Sequence, residues 1–561
     1  MPLKNSVNRL LARLTDRPSV TVSTLLLLWS LSIVLFYNVP FWQKSLAFLN
    51  PTSTLQWLAV VAFGTALVAA QILVFIGLCG PRTIKPVLTV MTLMAASTHY
   101  FSLQMGTYFD ADMVTNLLET DFHESRQLFT WRLLSHLILW GLIPVVIIWR
   151  YRLQRESHLW QGRGATALLS LAVLIIALLV SFQSFSPLMR NHKELRYLIT
   201  PGNVIAALPK ALTGQAEKLA VTRAPIAPDA QQRSVGKGSK PLLLVVVVGE
   251  TQRAANWQLN GYHRATTPNL ADRDDLISFA DVSSCGTSTA VSLPCMFSRQ
   301  THDDYQARRA RSEQNLLDIV ATAGIGVEWV DNQSGCKGVC SEVETDRIAK
   351  QRFPELCADG ECFDQVLVED LKDELAEASH QGNQLLVLHM MGSHGPAYYR
   401  RYPVEYSLFT PDCRDDELSH CSQQQIINAY DNTIAYTDFV LDQILDLLSQ
   451  HERHDSALIY LSDHGESLGE MGLYLHGLPY FIAPDQQTKV PMFWWLSPSF
   501  AASLGIDREC LKEVAQYPTS HDALIHSVLN LLNIETKLYN PELDPAADCK
   551  RRPALLPTKA A

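Results

Sequence analysis

Three short segments of the chain gather side chains that bind metals or move protons. Gly249–Glu250 follows the apolar run LLLVVVV at 242–248, and Ser462–Asp463–His464–Gly465–Glu466 follows LIYL at 458–461. His389 follows LLVL at 385–388 and is itself followed by MMGSHGP, which carries His394. Carboxylate oxygens and an imidazole nitrogen form a hard-to-borderline ligand set of the kind that holds zinc. Singly, an acid at a strand end is an ordinary helix cap or a solvated group. Three such ends, each leading into a glycine or a short loop, favour a metal. A fourth segment, SCGTSTAVSLPCMFS at 284–298, supplies hydroxyl groups between Cys285 and Cys295. A helix beginning near Thr287–Ala290 would set a hydroxyl at a positive helix N-terminus, a place that favours an anionic phosphate. Spacing does not choose among Thr287, Ser288, Thr289 and Ser292, and simple N-capping would explain any one of them. A hydroxyl in such a place could serve as the nucleophile of a transfer reaction. A hydroxyl is a poor nucleophile near neutral pH, and coordination to zinc lowers its pKa.

Those residues need a scaffold that brings strand ends together. The three apolar runs read as buried parallel strands, and amphipathic stretches such as 313–323 and 426–449 read as the helices between them. Alternating strands and helices imply a parallel sheet covered on both faces, with ligands bound beyond the carboxyl ends of its strands. Residues 241–561 are long enough to build one such α/β core.

The preceding part of the chain is of another kind. Charged residues make up 18% of the 561 residues, against roughly 25% in an ordinary soluble protein, and 47% are hydrophobic. Disorder, a collagen and a small disulfide scaffold are excluded by this composition, and a net charge of −10 argues against a nucleic-acid binder. Five stretches, at 20–39, 55–79, 85–104, 133–149 and 165–185, are long enough to span a bilayer as helices. The third is the least apolar, with Ser97 and His99 inside it. Lys4, Arg9, Arg13 and Arg17 precede the first stretch, Arg82 and Lys85 follow the second, and Arg150, Arg152, Arg155 and Arg163 follow the fourth. The positive-inside rule then puts the N-terminus in the cytoplasm and everything after the fifth span outside it. Residues 187–240 read as interfacial helices and a flexible boundary rich in Pro, Gly, Ser and Gln. Ten of the 11 cysteines lie beyond residue 240, eight of them in close pairs, which points to disulfides in an oxidising compartment. A zinc site at Cys336/Cys340 and Cys357/Cys362 is the rival reading, without His spacing to support it.

The blocks VVVVGETQRAANWQLNGYHRATTPNL, SCGTSTAVSLPCMFS, DNQSGCKGVC, HMMGSHGPAYYRRYP and YLSDHGESLGEMGLYLHGLPY resemble, in order, those of the lipid A phosphoethanolamine transferases, the family that includes the mobile colistin-resistance enzymes. The resemblance implies a five-helix transmembrane domain (1–186), interfacial helices and linker (187–240) and a periplasmic catalytic domain (241–561) of alkaline-phosphatase or sulfatase-like fold. It implies zinc held by Glu250, Thr289, Asp463 and His464, with Thr289 as the nucleophile that carries phosphoethanolamine. His394 and His476 match residues near the substrate and a second zinc position. Lys337, Asn332 or Gln333, His389 and Glu466 match a substrate-side polar shell. Disulfides Cys285–Cys295, Cys336–Cys340, Cys357–Cys362 and Cys413–Cys421 are implied, with Cys510–Cys549 as an extension. The donor would be phosphatidylethanolamine, the acceptor a lipid A phosphate, and the location a bacterial inner membrane. The loop 105–130 would share the catalytic side and help receive the headgroup through Asn116 and Glu119. Transfer to core heptose or another glycan, phosphoglycerol transfer, a sulfatase-like phosphodiesterase and a non-catalytic zinc-holding sensor are the alternatives.

Overall fold

A computed structural model describes residues 18–120, 122–154, 160–217, 223–234, 240–348, 352–358, 360–376 and 382–550. Lys4, Arg9, Arg13, Arg17 and Arg155, on which the membrane orientation partly rests, lie outside the described residues. The chain divides into two compact units, Met1–Ala111 with Phe129–Pro209, and Asp112–Leu128 with Lys210–Ala561.

The first unit is helical. Its opening helix, Val22–Tyr37, does not run straight on but bends by 61° into Val39–Leu49. The bend is built in: Asn38 Nδ2 donates to the Ile33 carbonyl, and Pro40 cannot continue the hydrogen-bond ladder. Helix α1 (Thr54–Leu78) starts on a Ser53–Gln56 capping box, and α2 (Ile84–Gln104) follows. Among the described residues three helices, Thr54–Leu78, Trp131–Arg150 and Gly162–Asn191, are long and apolar enough to cross a membrane, or four if the bent pair is one span. Helix α2 coincides with the third expected stretch but is too polar to count with them. Its threonines turn inward: Thr92 and Thr98 donate to the Leu88 and Met94 carbonyls, and Trp29 donates to Thr92.

In the second unit, α3 (Ala111–Glu119) and α4 (Phe122–Leu128) precede the main sheet in sequence. The sheet has seven strands: β1 (Leu242–Gly249), β2 (Leu276–Ser278), β3 (Gly326–Asp331), β4 (Glu344–Arg347), β5 (Gln384–His389), β6 (Asp455–Ser462) and β7 (Met492–Leu496). Their order is β2-β7-β6-β1-β5-β3-β4, with β7 antiparallel to its neighbours β6 and β2. All three apolar runs read from the sequence are central strands. Both faces of β1 are buried, Leu242, Leu244, Val246 and Val248 in one core and Leu243, Val245 and Val247 in the other. That explains a continuous rather than alternating apolar run.

The register matters most for function. Gly249 pairs with Ser462, and Val248 with His389, which in turn pairs with Asp331. Glu250 and Asp463 therefore leave adjacent strands at the same level. Helix α5 (Thr289–Met296) stands beside them, and the 28-residue α7 (Gln423–Gln450) covers the sheet, with α6 (Gln365–Ala376) next to it. Within residues 221–240, the Pro-, Gly-, Ser- and Gln-rich part of the expected linker, the described residues make contacts. Arg223 pairs with Asp318, and Gln231–Gln232 forms an antiparallel bridge with Ile534–Glu535, so these residues are tied to the second unit. Residues 221, 222 and 235–239 lie outside the described residues.

Candidate metal centre

Glu250, Asp463 and His464 are fully buried, and each offers one ligand atom within 4.8 Å of the others. His464 Nε2 lies 3.6 Å from Glu250 Oε1 and 3.4 Å from Asp463 Oδ2. In His464 and Asp463 the other polar atoms are occupied in ways that leave these free to ligate, while Glu250 Oε1 accepts from the Thr251 and Thr289 hydroxyls. His464 Nδ1 donates to the Gly465 carbonyl at 2.9 Å, which fixes the tautomer with its lone pair on Nε2. Asp463 Oδ1 accepts from the backbone N–H groups of Thr251 and His464. Asp463 Oδ2 is buried without a hydrogen-bond partner among the described residues. An orphaned carboxylate oxygen in an apolar interior is costly unless a cation faces it.

The electrostatics make the same point. Burial raises the pKa of both carboxyl groups, but for Glu250 the neighbouring His464 and His394 when protonated, the Thr251 hydroxyl and His389 outweigh it and draw it down to about 2. Asp463, buried and facing Glu250, stays raised. Two carboxylates this close cannot both carry charge cheaply in a dry site, and a divalent cation removes the conflict. The donor set, two oxygen ligands and one nitrogen with a hydroxyl beside them, fits zinc.

That hydroxyl is Thr289. Its Oγ1 donates to Glu250, 3.0 Å from Oε1 and 3.1 Å from Oε2, and lies 3.3 Å from His464 Nε2. Sequence spacing could not separate four hydroxyls; the structure does. Thr287 donates to the Leu478 carbonyl and Ser292 to the Asp463 carbonyl. Ser288 is the N-cap of α5 but makes no side-chain cap bond. Thr289 is the first helical residue and the one turned to the acids. The loop before it is held by the Cys285–Cys295 disulfide and by His521 Nδ1, which accepts from the Cys285 N–H.

Around this core the other expected residues fall into distinct places. His476 Nδ1 donates to Glu466 at 2.8 Å, and its ring lies 4.4 Å from the His464 ring. His394 lies 6.3 Å from the His476 ring. Glu466 is fully buried and also accepts from Tyr398 at 2.6 Å, so it orients His476 from behind. His389 is buried too, bonded to Asp331 at 2.8 Å, and that carboxylate holds its pKa above the usual imidazole value despite burial. Asn332 is turned to the Cys362 carbonyl and Asp364, while Gln333 Nε2 reaches Glu250 Oε2 at 2.9 Å. Lys337 donates to Ser334. Glu119 pairs with Arg311 at 3.7 Å, which engages its carboxylate within the second unit.

Two features had no legible sequence signal. Thr251 sits at φ +60, a left-handed conformation that costs a β-branched residue about 1–3 kcal/mol. It is held there by its N–H on Asp463, its hydroxyl on Glu250 and its carbonyl under Tyr430. Arg253 spans from the Glu466 carbonyl to Glu470. The ten outer cysteines form five disulfides, Cys285–Cys295, Cys336–Cys340, Cys357–Cys362, Cys413–Cys421 and Cys510–Cys549, and Cys79 is free and buried.

Comparison with known proteins matches two family models to the chain: a sulfatase model over residues 243–534, and a model described as phosphoethanolamine transferase EptA/EptB over residues 67–216. The phosphoethanolamine transferase EptA of Escherichia coli K12 is 37% identical over 554 residues, covering 97% of this chain and 100% of that protein. The phosphatidylethanolamine transferase Mcr-1 of Escherichia coli is 36% identical, over 85% of this chain and 88% of its own. Among solved structures, the integral membrane lipooligosaccharide phosphoethanolamine transferase A of Neisseria meningitidis superposes with a TM-score of 0.91 at 35% identity, covering 95% of this chain and 100% of that one.

Proposed function

The chain belongs to the phosphoethanolamine transferase family, with a membrane domain and a sulfatase-like catalytic domain, and from that premise we propose how it works and on what. Phosphoethanolamine passes from phosphatidylethanolamine to a lipid A phosphate by way of Thr289. The observation that carries this reading is the placement of Thr289 Oγ1 at 3.0 Å from Glu250 and 3.3 Å from His464, at the start of a helix.

Glu250, Asp463, His464 and Thr289 would hold zinc. Bound there, zinc lowers the pKa of the hydroxyl and offsets charge on phosphoryl oxygens. The N–H groups opening α5 favour the same anion. Thr289 Oγ1 gives up its proton along its hydrogen bond to Glu250 as it forms a bond to the donor phosphorus, and the bond from phosphorus to the diacylglycerol oxygen breaks. His394 or His476 gives that oxygen its proton, and Glu466 holds His476 ready for the task. A phosphate oxygen of lipid A then attacks the same phosphorus, a diphosphate forms and Thr289 is released. A second zinc at His394 and His476 is the other role for that pair.

Both substrates are lipids, which accounts for a membrane domain on a catalytic enzyme. We assign five spans, a cytoplasmic N-terminus, and a periplasmic catalytic domain in the inner membrane of a bacterium; five disulfides suit that compartment. Adding a cationic ethanolamine to lipid A weakens attraction for polycationic peptides, so polymyxin resistance is the expected phenotype. Mass spectrometry of lipid A from cells with and without the chain tests the acceptor. Phosphoethanolamine on lipid A supports it, and modification confined to core sugar assigns the heptose alternative. Thr289→Ala abolishes transfer in a transferase and leaves a zinc-holding sensor unaffected.

A further inference from the structure

Helix α3 and helix α4 lie in the second unit, not with the helices that flank them in sequence. The segment Asp112–Leu128 is held at both ends near the centre. At one end Met113 Cε occupies the space beside Gly477, 2.5 Å from where a Cβ on that glycine would be, and Gly477 adjoins His476. At the other end Gln127 is buried against Arg401 and Glu361.

Arg401 is the hub of that second contact, with its side chain only 1% exposed. Its Nε donates to the His394 carbonyl at 2.9 Å, Nη1 to Glu361 Oε2 at 2.9 Å, and Nη2 to Gln127 Oε1 at 3.1 Å. Gln127 Nε2 donates in turn to Glu361 Oε1 at 3.0 Å, which closes the cluster. Glu361 is carried by the Cys357–Cys362 hairpin. The loop bearing His394 has its other end fixed on the metal side: the Ser393 N–H donates to the Glu250 carbonyl, and Asp364 accepts from the Met391 and Gly392 N–H groups.

We propose that Arg401 is a positioning residue for the transfer reaction, which sets His394 over the centre and locks the segment Asp112–Leu128 to the same loop. The inference rests on the transferase reading above. Three donors of one planar guanidinium serve three partners in fixed directions. A lysine ammonium is a point charge on a flexible stem and cannot reproduce that arrangement. The segment and His394 therefore move together, and the substrate headgroup meets a wall and a proton donor whose spacing one side chain determines.

The test uses the full chain in detergent micelles with fluorescent phosphatidylethanolamine as donor and purified lipid A as acceptor. Arg401→Lys lowers kcat/KM by about 10–100-fold, the loss expected on breaking a buried charged hydrogen-bond set. Gln127→Leu lowers it by about tenfold. The double variant is no worse than Arg401→Lys alone, because that change already frees the segment. Zinc content stays at the wild-type level in all three. Losses that multiply, or an Arg401→Lys enzyme with wild-type kcat/KM, overturn the proposal. So does a lowered melting temperature whose folded fraction turns over at the wild-type rate. If the wild-type chain itself transfers nothing, the transferase reading fails, and the positioning role with it; if wild type works and Arg401→Lys works equally well, the positioning role fails alone.

Discussion

Gly392 lies where the loop after β5 crosses Glu250, at φ +53. A Cβ added there would sit 2.6 Å from the Glu250 carbonyl oxygen and 2.9 Å from its nitrogen. Both are backbone atoms, so the change Gly392→Ala has to move either the loop or the acid. Two costs combine. The left-handed backbone costs an alanine about 1–2 kcal/mol, and the clash adds about 1–3 kcal/mol of overpacking. Gly261 separates them: it has φ +92 and nothing within 4 Å of its would-be Cβ, so Gly261→Ala carries the first cost alone. Sites of this kind tolerate displacements of about 0.5 Å, and disturbing the support of a ligand lowers metal affinity about 10–100-fold. Calorimetric titration of zinc into chelator-treated protein, with urea melts alongside, reads both quantities. Gly392→Ala is expected to lose more stability than Gly261→Ala and to be the one that loses zinc affinity. Equal destabilisation with unchanged zinc binding in both variants refutes the close packing of that loop on Glu250 as a determinant of the centre.

Removing the metal exposes the repulsion between Glu250 and Asp463, so EDTA lowers the melting temperature and added zinc restores it. At free zinc 100 times Kd the linkage is about 2.7 kcal/mol, and identical scans with and without EDTA would contradict it. Glu466→Gln weakens the acceptor shared by His476 and Tyr398 and is expected to cut transfer about 10–100-fold with zinc content unchanged; loss of zinc would instead make Glu466 a ligand. Glu328, half-buried among Glu374, Glu344, Asp370 and Asp346, has its pKa raised to about 7 by burial and those neighbours. Its folded-state value lies above its unfolded one, so the native state holds the extra proton and stability falls as pH rises from 4.5 to about 7. Glu328→Gln should therefore stabilise the protein by about 1 kcal/mol at pH 8, after discounting for solvent screening, and hardly at all at pH 5. Equal melting shifts at both pH values would remove that explanation.

Much of the centre was legible because parallel strands buried on both faces announce themselves as unbroken apolar runs. Val248, Leu388 and Leu461 end those runs, and the metal-side chemistry stands directly beyond each of them. β3 was not legible: Gly-Val-Glu-Trp-Val-Asp alternates weakly, and its partly exposed first half hides a buried second half ending at Asp331. The choice between Asn332 and Gln333 turns on which side of the strand end each residue leaves, and spacing carries no such sign. Thr289 was one of four hydroxyls until tertiary contacts occupied Thr287 and Ser292. The role of Arg401 was out of reach altogether, because its partners Gln127, Glu361 and His394 are scattered along the chain and meet through tertiary packing alone. In the first unit, the 61° bend fixed by Asn38 and Pro40 and the inward threonines of α2 leave no mark on average hydropathy, which saw plain spans.

The most direct measurement is the intact mass of the full chain after incubation with phosphatidylethanolamine and no acceptor, followed by peptide mapping. One phosphoethanolamine group on the peptide containing Thr289, discharged when lipid A is added, is the predicted result. An unmodified chain that still transfers to lipid A, or a stable adduct on any other residue, contradicts it.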